Sequence, residues 1–124
     1  MPDDRQRVVV LGASSNPERT SNLAVKRLLE NRHEVIPVHP TLDRLEGLEV
    51  APDLRSVDGR VDTLTVYVSP EISSTLTDAI LDISPGRVIF NPGAENPELE
   101  AALHAAGIET LQACTIVLLT TGQF

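Results

Sequence analysis

A chain of 124 residues with 41% hydrophobic and 23% charged residues is long enough for one globular domain with a real core. Its net charge of -8 argues against a nucleic acid or an anionic membrane as partner, and 2% aromatic residues leave little surface for base stacking. A single cysteine, Cys114, fits a reducing compartment, and no signal peptide or membrane-spanning run is visible. We therefore expect residues 1–124 to form one domain located in the cytoplasm.

Short aliphatic runs alternate along the chain with helical patterns. Residues 8–11 form a continuous apolar run, as in a parallel strand buried on both faces, and a helix is predicted at 21–31. Pro37 lacks an N–H donor and is expected near a strand end or at a bulge. Further strands are predicted at 34–38, 63–68, 88–90 and 110–113, and further helices at 70–83 and 97–106.

Two stretches have weaker patterns. Within residues 39–61, a short extended piece is expected at 47–50 and a short helix at 53–57. Residues 115–124 are compatible with either a continued strand or a short helix. Asn96 is the expected cap of the helix that starts at Pro97, because asparagine before proline is a typical start signal.

Strands that alternate with helices predict a Rossmann-like three-layer α/β/α sandwich around a five-stranded, mostly parallel sheet. Such sheets bind ligands beyond the carboxyl ends of their strands, where the strand order reverses. With the five strands in the order 3-2-1-4-5, the ligand loops would follow strands one to four. These loops are residues 12–20, 39–40, 69–70 and 91–96.

The loop after the first strand has the composition of a phosphate site. Gly12 allows a turn without a Cβ clash, and Ala13 and Ser14 are small, so their amides and the following helix N-terminus are expected to face phosphate oxygens. Arg19 adds a guanidinium. A Walker loop is excluded, and the dinucleotide fingerprint would need glycine in place of Ser14 and Pro17. A plain strand-to-helix turn is the alternative.

The end of the second strand bears on the identity of a cofactor. An NAD-binding domain usually places an acidic residue there to accept hydrogen bonds from ribose hydroxyls, whereas this chain has His39 followed by Pro40. An imidazole suits a phosphorylated ribose, and the proline ring suits a packed adenine. A turn residue before proline is the simpler interpretation of His39.

Four motifs in sequence order resemble those of small stand-alone CoA-binding proteins. These proteins are similar to the CoA-binding domain of succinyl-CoA synthetase α subunits and of ADP-forming acyl-CoA synthetases. The resemblance covers about residues 6–124 and implies a Rossmann-like fold that binds coenzyme A or an acyl-CoA. The motifs are GAS at 12–14 with Pro17 and Arg19, VIPVHP at 35–40, GLEVAP at 47–52 and NPGAEN at 91–96.

The same resemblance implies a set of site residues, grouped by the loop that carries them. The loop at the pyrophosphate comprises Gly12, Ala13, Ser14, Ser15, Pro17, Arg19 and Thr20. The adenosine end would contact Val38, His39 and Pro40, although the family more often has Asn where this chain has His39. Ser69 and Pro70 would flank the ligand, and Asn91, Pro92 and Gly93 would border the pantetheine arm or the mouth of the site.

No catalytic set is recognisable, so we expect a binding module without catalysis of its own and without a metal site. Cys114 would need a nearby base such as His104, and the histidines lack metal-ligand spacing. The expected partner is a small molecule, with a homodimer or a partner enzyme left open. The alternatives are a small NAD(P)-dependent oxidoreductase and a protein-interaction domain with a degenerate nucleotide site. We also expect Gly12→Val to abolish CoA binding while nearly preserving helix content.

Overall fold

The computed structural model describes residues 5–124; residues 1–4 of the predicted domain lie outside this range. The strands are β1 (Arg7–Leu11), β2 (Glu34–Val38), β3 (Arg44–Leu45), β4 (Leu48–Glu49), β5 (Thr63–Val66), β6 (Arg87–Phe90) and β7 (Glu109–Gln112). The helices are α1 (Thr20–Glu30), α2 (Pro70–Ser73), α3 (Thr77–Ile83), α4 (Pro97–Ala105) and α5 (Thr115–Thr120). Five strands pair in parallel in the main sheet, and β3 and β4 form a small antiparallel pair.

The central strand β1 is buried on both faces, as its apolar run predicts. Val8 and Val10 pack on one side with residues of α1 and α5, and Val9 packs on the other side with residues of α3 and α4. Because successive strand residues point to opposite faces, this one run anchors both helical layers. The predicted three-layer α/β/α sandwich with a parallel five-stranded sheet is confirmed.

The strand order in the main sheet is β2-β1-β5-β6-β7. In the numbering of the five predicted strands this is 2-1-3-4-5, which corrects the expected order 3-2-1-4-5. The third predicted strand, β5, pairs with β1 and not with β2. Pro37 explains why β2 is an edge strand. Its carbonyl accepts the Ala51 N–H at 2.9 Å on the outer side, and the nitrogen and oxygen of one residue point to the same side of a parallel strand. A neighbouring strand there would therefore lack one donor. The order reverses between β1 and β5.

The predicted helix at 70–83 is interrupted by a short 3-10 turn at Ser74–Leu76. Two hydroxyls bond backward to carbonyls in this region, Thr75 Oγ1 to Ile72 O at 2.6 Å and Thr77 Oγ1 to Ser74 O at 3.2 Å. Such bonds compete with the regular helical ladder, which accounts for the break.

The last part of the chain forms a helix, α5, and does not continue the sheet. Its first residue, Thr115, is fully buried and donates its N–H to Asn91 Oδ1 at 2.9 Å, which turns the chain away from β7. Asn96 caps α4 as predicted, since its Oδ1 accepts from the Leu99 N–H at 3.2 Å. Within residues 5–124, no helix combines the length and hydropathy that crossing a membrane requires.

Candidate functional site

A cavity of about 650 Å³ opens at the carboxyl edge of the sheet, where the strand order reverses between β1 and β5. The loop after β1 and the first turn of α1 supply Gly12, Ala13, Ser14, Arg19, Thr20 and Ser21. The turns after β2, β5 and β6 supply His39 with Pro40, Tyr67 with Val68, and Asn91 with Pro92, and Cys114 completes the lining. A reversal of strand order is the usual ligand position in doubly wound sheets.

Several backbone amides at this cavity have no hydrogen-bond acceptor within residues 5–124. The N–H groups of Ser14, Ser15, Thr20 and Ser21 donate to no described atom, and α1 has no side-chain cap and no acidic residue in its first turn. Ser14, Thr20 and Ser21 line the cavity. Free amides at the start of an 11-residue helix attract anions.

The amides of Gly12 and Ala13 are already occupied. Both donate to the carbonyl of Val38, at 3.3 and 3.2 Å, which ties the loop after β1 to the end of β2. The expectation that the Ala13 amide faces phosphate oxygens is therefore wrong for this structure. Gly12 and Ala13 contribute a close backbone wall, and the free donors lie further along the loop.

The charges around the cavity differ from those of the whole chain. The protein has 18 acidic and 10 basic residues, but none of the residues that line this cavity is Asp or Glu. Arg19 is exposed there and forms no ion pair with any residue of the described range. A negatively charged ligand would thus meet a guanidinium and free amides in a lining that contains no carboxylate.

His39 holds the turn after β2. Its Nδ1 accepts the backbone N–H groups of Thr41 and Leu42, each at 3.1 Å. Asparagine forms the same kind of turn with its side-chain oxygen, which explains how histidine stands here in place of the Asn more frequent in the resembled family. This arrangement supports the turn interpretation of His39.

The floor of the cavity is a buried polar network around Asn91, which is 2% exposed. Its Nδ2 donates to Thr65 Oγ1 at 2.7 Å and to Val66 O at 2.9 Å, and its Oδ1 accepts the Thr115 N–H at 2.9 Å. Since every polar atom of this side chain has a partner within the protein, Asn91 positions β5, β6 and α5 and has no free group for a ligand.

Tyr67 borders the same floor, with a buried hydroxyl that makes no hydrogen bond of normal geometry within the described part of the chain. Burial raises the pKa of Tyr67 to about 12, and the neighbouring hydroxyls of Thr115 and Thr65 only partly oppose this rise. The Tyr67 hydroxyl is therefore shielded from solvent, although the residue is only half-buried.

The pKa of Tyr67 gives a direct test, because it is the only tyrosine and the chain has no tryptophan. An ultraviolet absorbance titration should give a midpoint near pH 12 in the folded protein, and near about 10 in urea. Since the folded pKa is the higher one, this contribution to stability is complete below about pH 10 and is lost as the pH rises through 12. A folded midpoint at the urea value would contradict a buried hydroxyl.

Some of the predicted site residues lie away from the cavity lining. Val38 is buried and offers the loop its carbonyl, while Gly93 is exposed and its N–H donates to Glu95 Oε1 at 2.9 Å. The exposed Ser69 precedes α2, of which Pro70 is the first residue. Ser15 and Pro17 are exposed on the outer part of the first loop.

The sequence prediction missed Ser21, Tyr67 and Val68 as cavity residues, and it considered Cys114 only as a nucleophile. Tyr67 and Val68 directly follow β5, which pairs with β1. The strand predicted at 63–68 ends at Val66 in the structure, so both residues belong to the loop after β5, which the prediction began at Ser69.

Gly12 is required by backbone packing. Its φ is +89°, and a Cβ there would lie 2.9 Å from Val68 Cγ1 and 3.2 Å from the Tyr67 carbonyl carbon and the Val68 nitrogen. A side chain at position 12 would therefore press on the turn after β5. These contacts mean that Gly12→Val would strain the fold as well as block the ligand, so the substitution does not separate binding from folding, and its expected preservation of helix content stays a prediction.

Comparison with known proteins identifies the family. Residues 6–120 match the family described as the CoA binding domain. The chain belongs to this CoA-binding family. The Bacillus subtilis (strain 168) protein YneT, described as uncharacterized, is 28% identical over 102 residues, which cover 82% of this chain and 76% of that protein. The chain also matches the crystal structure of an uncharacterized protein with 38% sequence identity and a TM-score of 0.92. The match covers 98% of this chain and 100% of that one.

The CoA-binding domain also resembles part of a larger enzyme in fold. The dinucleotide forming acetyl-coenzyme A synthetase 1 of Ca. Korarchaeum cryptofilum is 24% identical with a TM-score of 0.74. The match covers 87% of this chain and 25% of that one. The predicted family and the Rossmann-like fold are thus confirmed, and the family supports binding of a CoA-related ligand in general.

A second cavity in this CoA-binding domain, of about 840 Å³, lies at the opposite, amino end of the strands. Asp62 and Glu109 line it, and Arg87 there donates to Thr63 Oγ1 at 2.9 Å with its guanidinium 4.7 Å from the Phe124 ring centroid. Burial lowers the pKa of Arg87, while the charge of Glu109 raises it. Arg5 and Arg60 also line it, and Arg60 forms an ion pair with Asp62 at 3.0 Å, so this larger cavity mixes basic and acidic side chains, whereas the first has no Asp or Glu in its lining.

Cys114 and His104 are not brought together at the cavity. Cys114 lines it, whereas His104 lies in α4 outside the lining and its Nε2 is 2.6 Å from Thr110 Oγ1. Within residues 5–124, no group of three or more His, Cys, Asp or Glu side chains is arranged to hold a metal ion.

Proposed function

We propose that this CoA-binding domain holds coenzyme A, free or acylated, in the cavity at the β1–β5 reversal, and that it acts as a cytoplasmic binding module without catalysis of its own. The observation that supports it best is the group of unpartnered amides at Ser14, Thr20 and Ser21 beside Arg19, with no carboxylate in the lining. Coenzyme A carries about four negative charges on its phosphates near neutral pH, and phosphate oxygens are the acceptors that such amides lack.

The proposed orientation follows the walls of the cavity. The pyrophosphate lies on the free amides of the first loop and on Arg19. The adenosine end lies against His39 and Pro40, where the turn after β2 closes one side. The pantetheine arm then runs past Tyr67 and Pro92, where the cavity wall is less polar. Gly12 and Ala13 allow close approach without donating hydrogen bonds, because their amides bond Val38.

Two other functions predict different ligands. An NAD-dependent oxidoreductase would need an acceptor for ribose hydroxyls after β2, where this chain has the His39 imidazole. An NADP-dependent one would still need the fingerprint glycines that Ser14 and Pro17 replace. A protein-interaction domain with a degenerate site would bind no nucleotide. An interaction domain leaves unexplained a lining that combines free amides with a guanidinium and contains no Asp or Glu. A dinucleotide would use the same amides for its pyrophosphate, so the choice of ligand has to be measured.

Titration calorimetry with coenzyme A, NADH and NADP tests the proposal. We expect coenzyme A to bind in the micromolar range or tighter, and Arg19→Ala to weaken it by about tenfold or more, because a hydrogen bond to a charged group contributes about 1.5–3 kcal/mol. Lys26→Ala is the matched control: this cation lies on the same helix but does not line the cavity, so its loss should leave the affinity nearly unchanged.

The outcomes separate the three functions. Tighter binding of NADH or NADP than of coenzyme A would favour the oxidoreductase, and binding of none of them would favour the interaction domain. Equal weakening by Arg19→Ala and Lys26→Ala would show that general charge, and not the site at the first loop, attracts the ligand.

A further inference from the structure

The turn after β2 selects one tautomer of the neutral His39 imidazole. Nδ1 accepts the N–H groups of Thr41 and Leu42, both at 3.1 Å, and lies 3.4 Å from Thr41 Oγ1. A ring nitrogen that accepts backbone N–H groups carries no proton, so the proton of the neutral ring is on Nε2. The backbone of residues 41–42 thus determines which atom of His39 donates.

The donor Nε2–H is available to a ligand. His39 lines the cavity, and its Nε2 has no hydrogen-bond acceptor in the part of the chain that the structure describes. No Asp or Glu lines this cavity, so no carboxylate competes for that proton there. The end of β2 therefore offers a hydrogen-bond donor in the place where NAD-binding domains offer a carboxylate acceptor.

A donor and an acceptor at this position favour different riboses. The hydroxyls of an unmodified ribose donate well to a carboxylate, while a phosphate on the ribose presents only acceptor oxygens and a negative charge. We propose that His39 makes this site selective for a nucleotide whose ribose carries a phosphate, as coenzyme A does at its 3′ position. This inference rests on the proposed function, because it requires the adenosine end to lie at the turn after β2.

Coenzyme A and 3′-dephospho-coenzyme A form a matched pair of probes, since they differ only in that phosphate. Titration calorimetry should show that the unmodified protein binds coenzyme A at least about tenfold more tightly than 3′-dephospho-coenzyme A, which is the effect of one hydrogen bond to a charged group. The readout is the dissociation constant of 3′-dephospho-coenzyme A divided by that of coenzyme A. This ratio does not change when a substitution affects both ligands equally.

Two substitutions divide the roles of the two ring nitrogens. His39→Asn keeps an acceptor near Nδ1, so the melting temperature should be nearly unchanged while the ratio falls about tenfold towards one. His39→Gln places an amide N–H near the position of Nε2 and loses the acceptor near Nδ1. It should keep much of the ratio while the melting temperature falls.

The failures of the two proposals are distinguishable. If the unmodified protein binds neither ligand, the proposed function is wrong. If it binds both ligands equally, or if His39→Asn keeps the full ratio, coenzyme A binding stands and the role of His39 in selecting the ribose phosphate is overturned.

Discussion

Gly12→Ala is expected to destabilise the fold far more than Gly93→Ala. Both glycines have a left-handed φ, +89° and +91°, so both substitutions introduce backbone strain. Only the Cβ at position 12 would meet other atoms, 2.9 Å from Val68 Cγ1 and 3.2 Å from the adjoining backbone, whereas the Cβ at position 93 meets nothing within 4 Å. We expect Gly93→Ala to cost about 1–2 kcal/mol and Gly12→Ala about 3 kcal/mol or more.

Urea unfolding followed by far-ultraviolet circular dichroism measures both values. The backbone strain at positive φ is similar in the two variants. The difference between their losses of unfolding free energy therefore measures the cost of the contact between position 12 and the turn after β5. Equal losses would mean that Tyr67 and Val68 move aside at little cost. The close approach of the first loop to this turn would then not account for glycine at position 12.

Thr20→Pro is expected to weaken coenzyme A binding by about tenfold or more while the helix persists. Thr20 is the first residue of α1, a position that proline tolerates, and Arg19 before it has φ -80° and ψ 140°, which a following proline allows. The Thr20 N–H has no partner among the described residues, so its removal breaks no internal bond. The substitution deletes one proposed phosphate donor, and a charged hydrogen bond contributes about 1.5–3 kcal/mol.

Thr20→Ala is the matched control for that experiment, because it removes the side-chain hydroxyl and keeps the amide. Calorimetry with coenzyme A should place Thr20→Ala near the unmodified protein and Thr20→Pro well below it, with similar circular dichroism for all three. Equal affinity of the two variants would show that the Thr20 amide does not hold the phosphate. The proposed phosphate contact of Thr20 would then be overturned, and the phosphate would have to lie on the amides of Ser14 and Ser21.

Local sequence patterns predicted most helices and strands of this fold. The order of the strands in the sheet was not predicted, because it depends on pairing between segments that are distant in sequence. The apolar run in β1 and the Asn96–Pro97 start of α4 are signals of sequence neighbours, and the structure has both. The order of the strands depends on which strand edges can form hydrogen bonds with a neighbouring strand. The pattern of apolar residues does not contain this information. Pro37 carried the missing information, because its position identifies β2 as an edge strand.

The candidate site was predictable to the extent that it follows from residue type and loop position. Small residues after β1 and the cation Arg19 predict an anion site, and the structure gathers them at one cavity. The sequence could not show that Val38 occupies the Gly12 and Ala13 amides, since that bond joins two strands across the sheet. Nor could it show that the turn after β2 fixes the proton of His39 on one nitrogen.

The shared carbonyl of Val38 has a consequence for how tightly a ligand can be held. It accepts the Gly12 and Ala13 amides, and the buried Asn22 donates its Nδ2 to Ser14 O at 2.8 Å, so the first loop is braced from both β2 and α1. The first loop and the turn after β2, which would contact the pyrophosphate and the adenosine end of a nucleotide, are thus held in a fixed position relative to each other. Association then requires little ordering of the protein, and more of the contact energy is expressed as affinity.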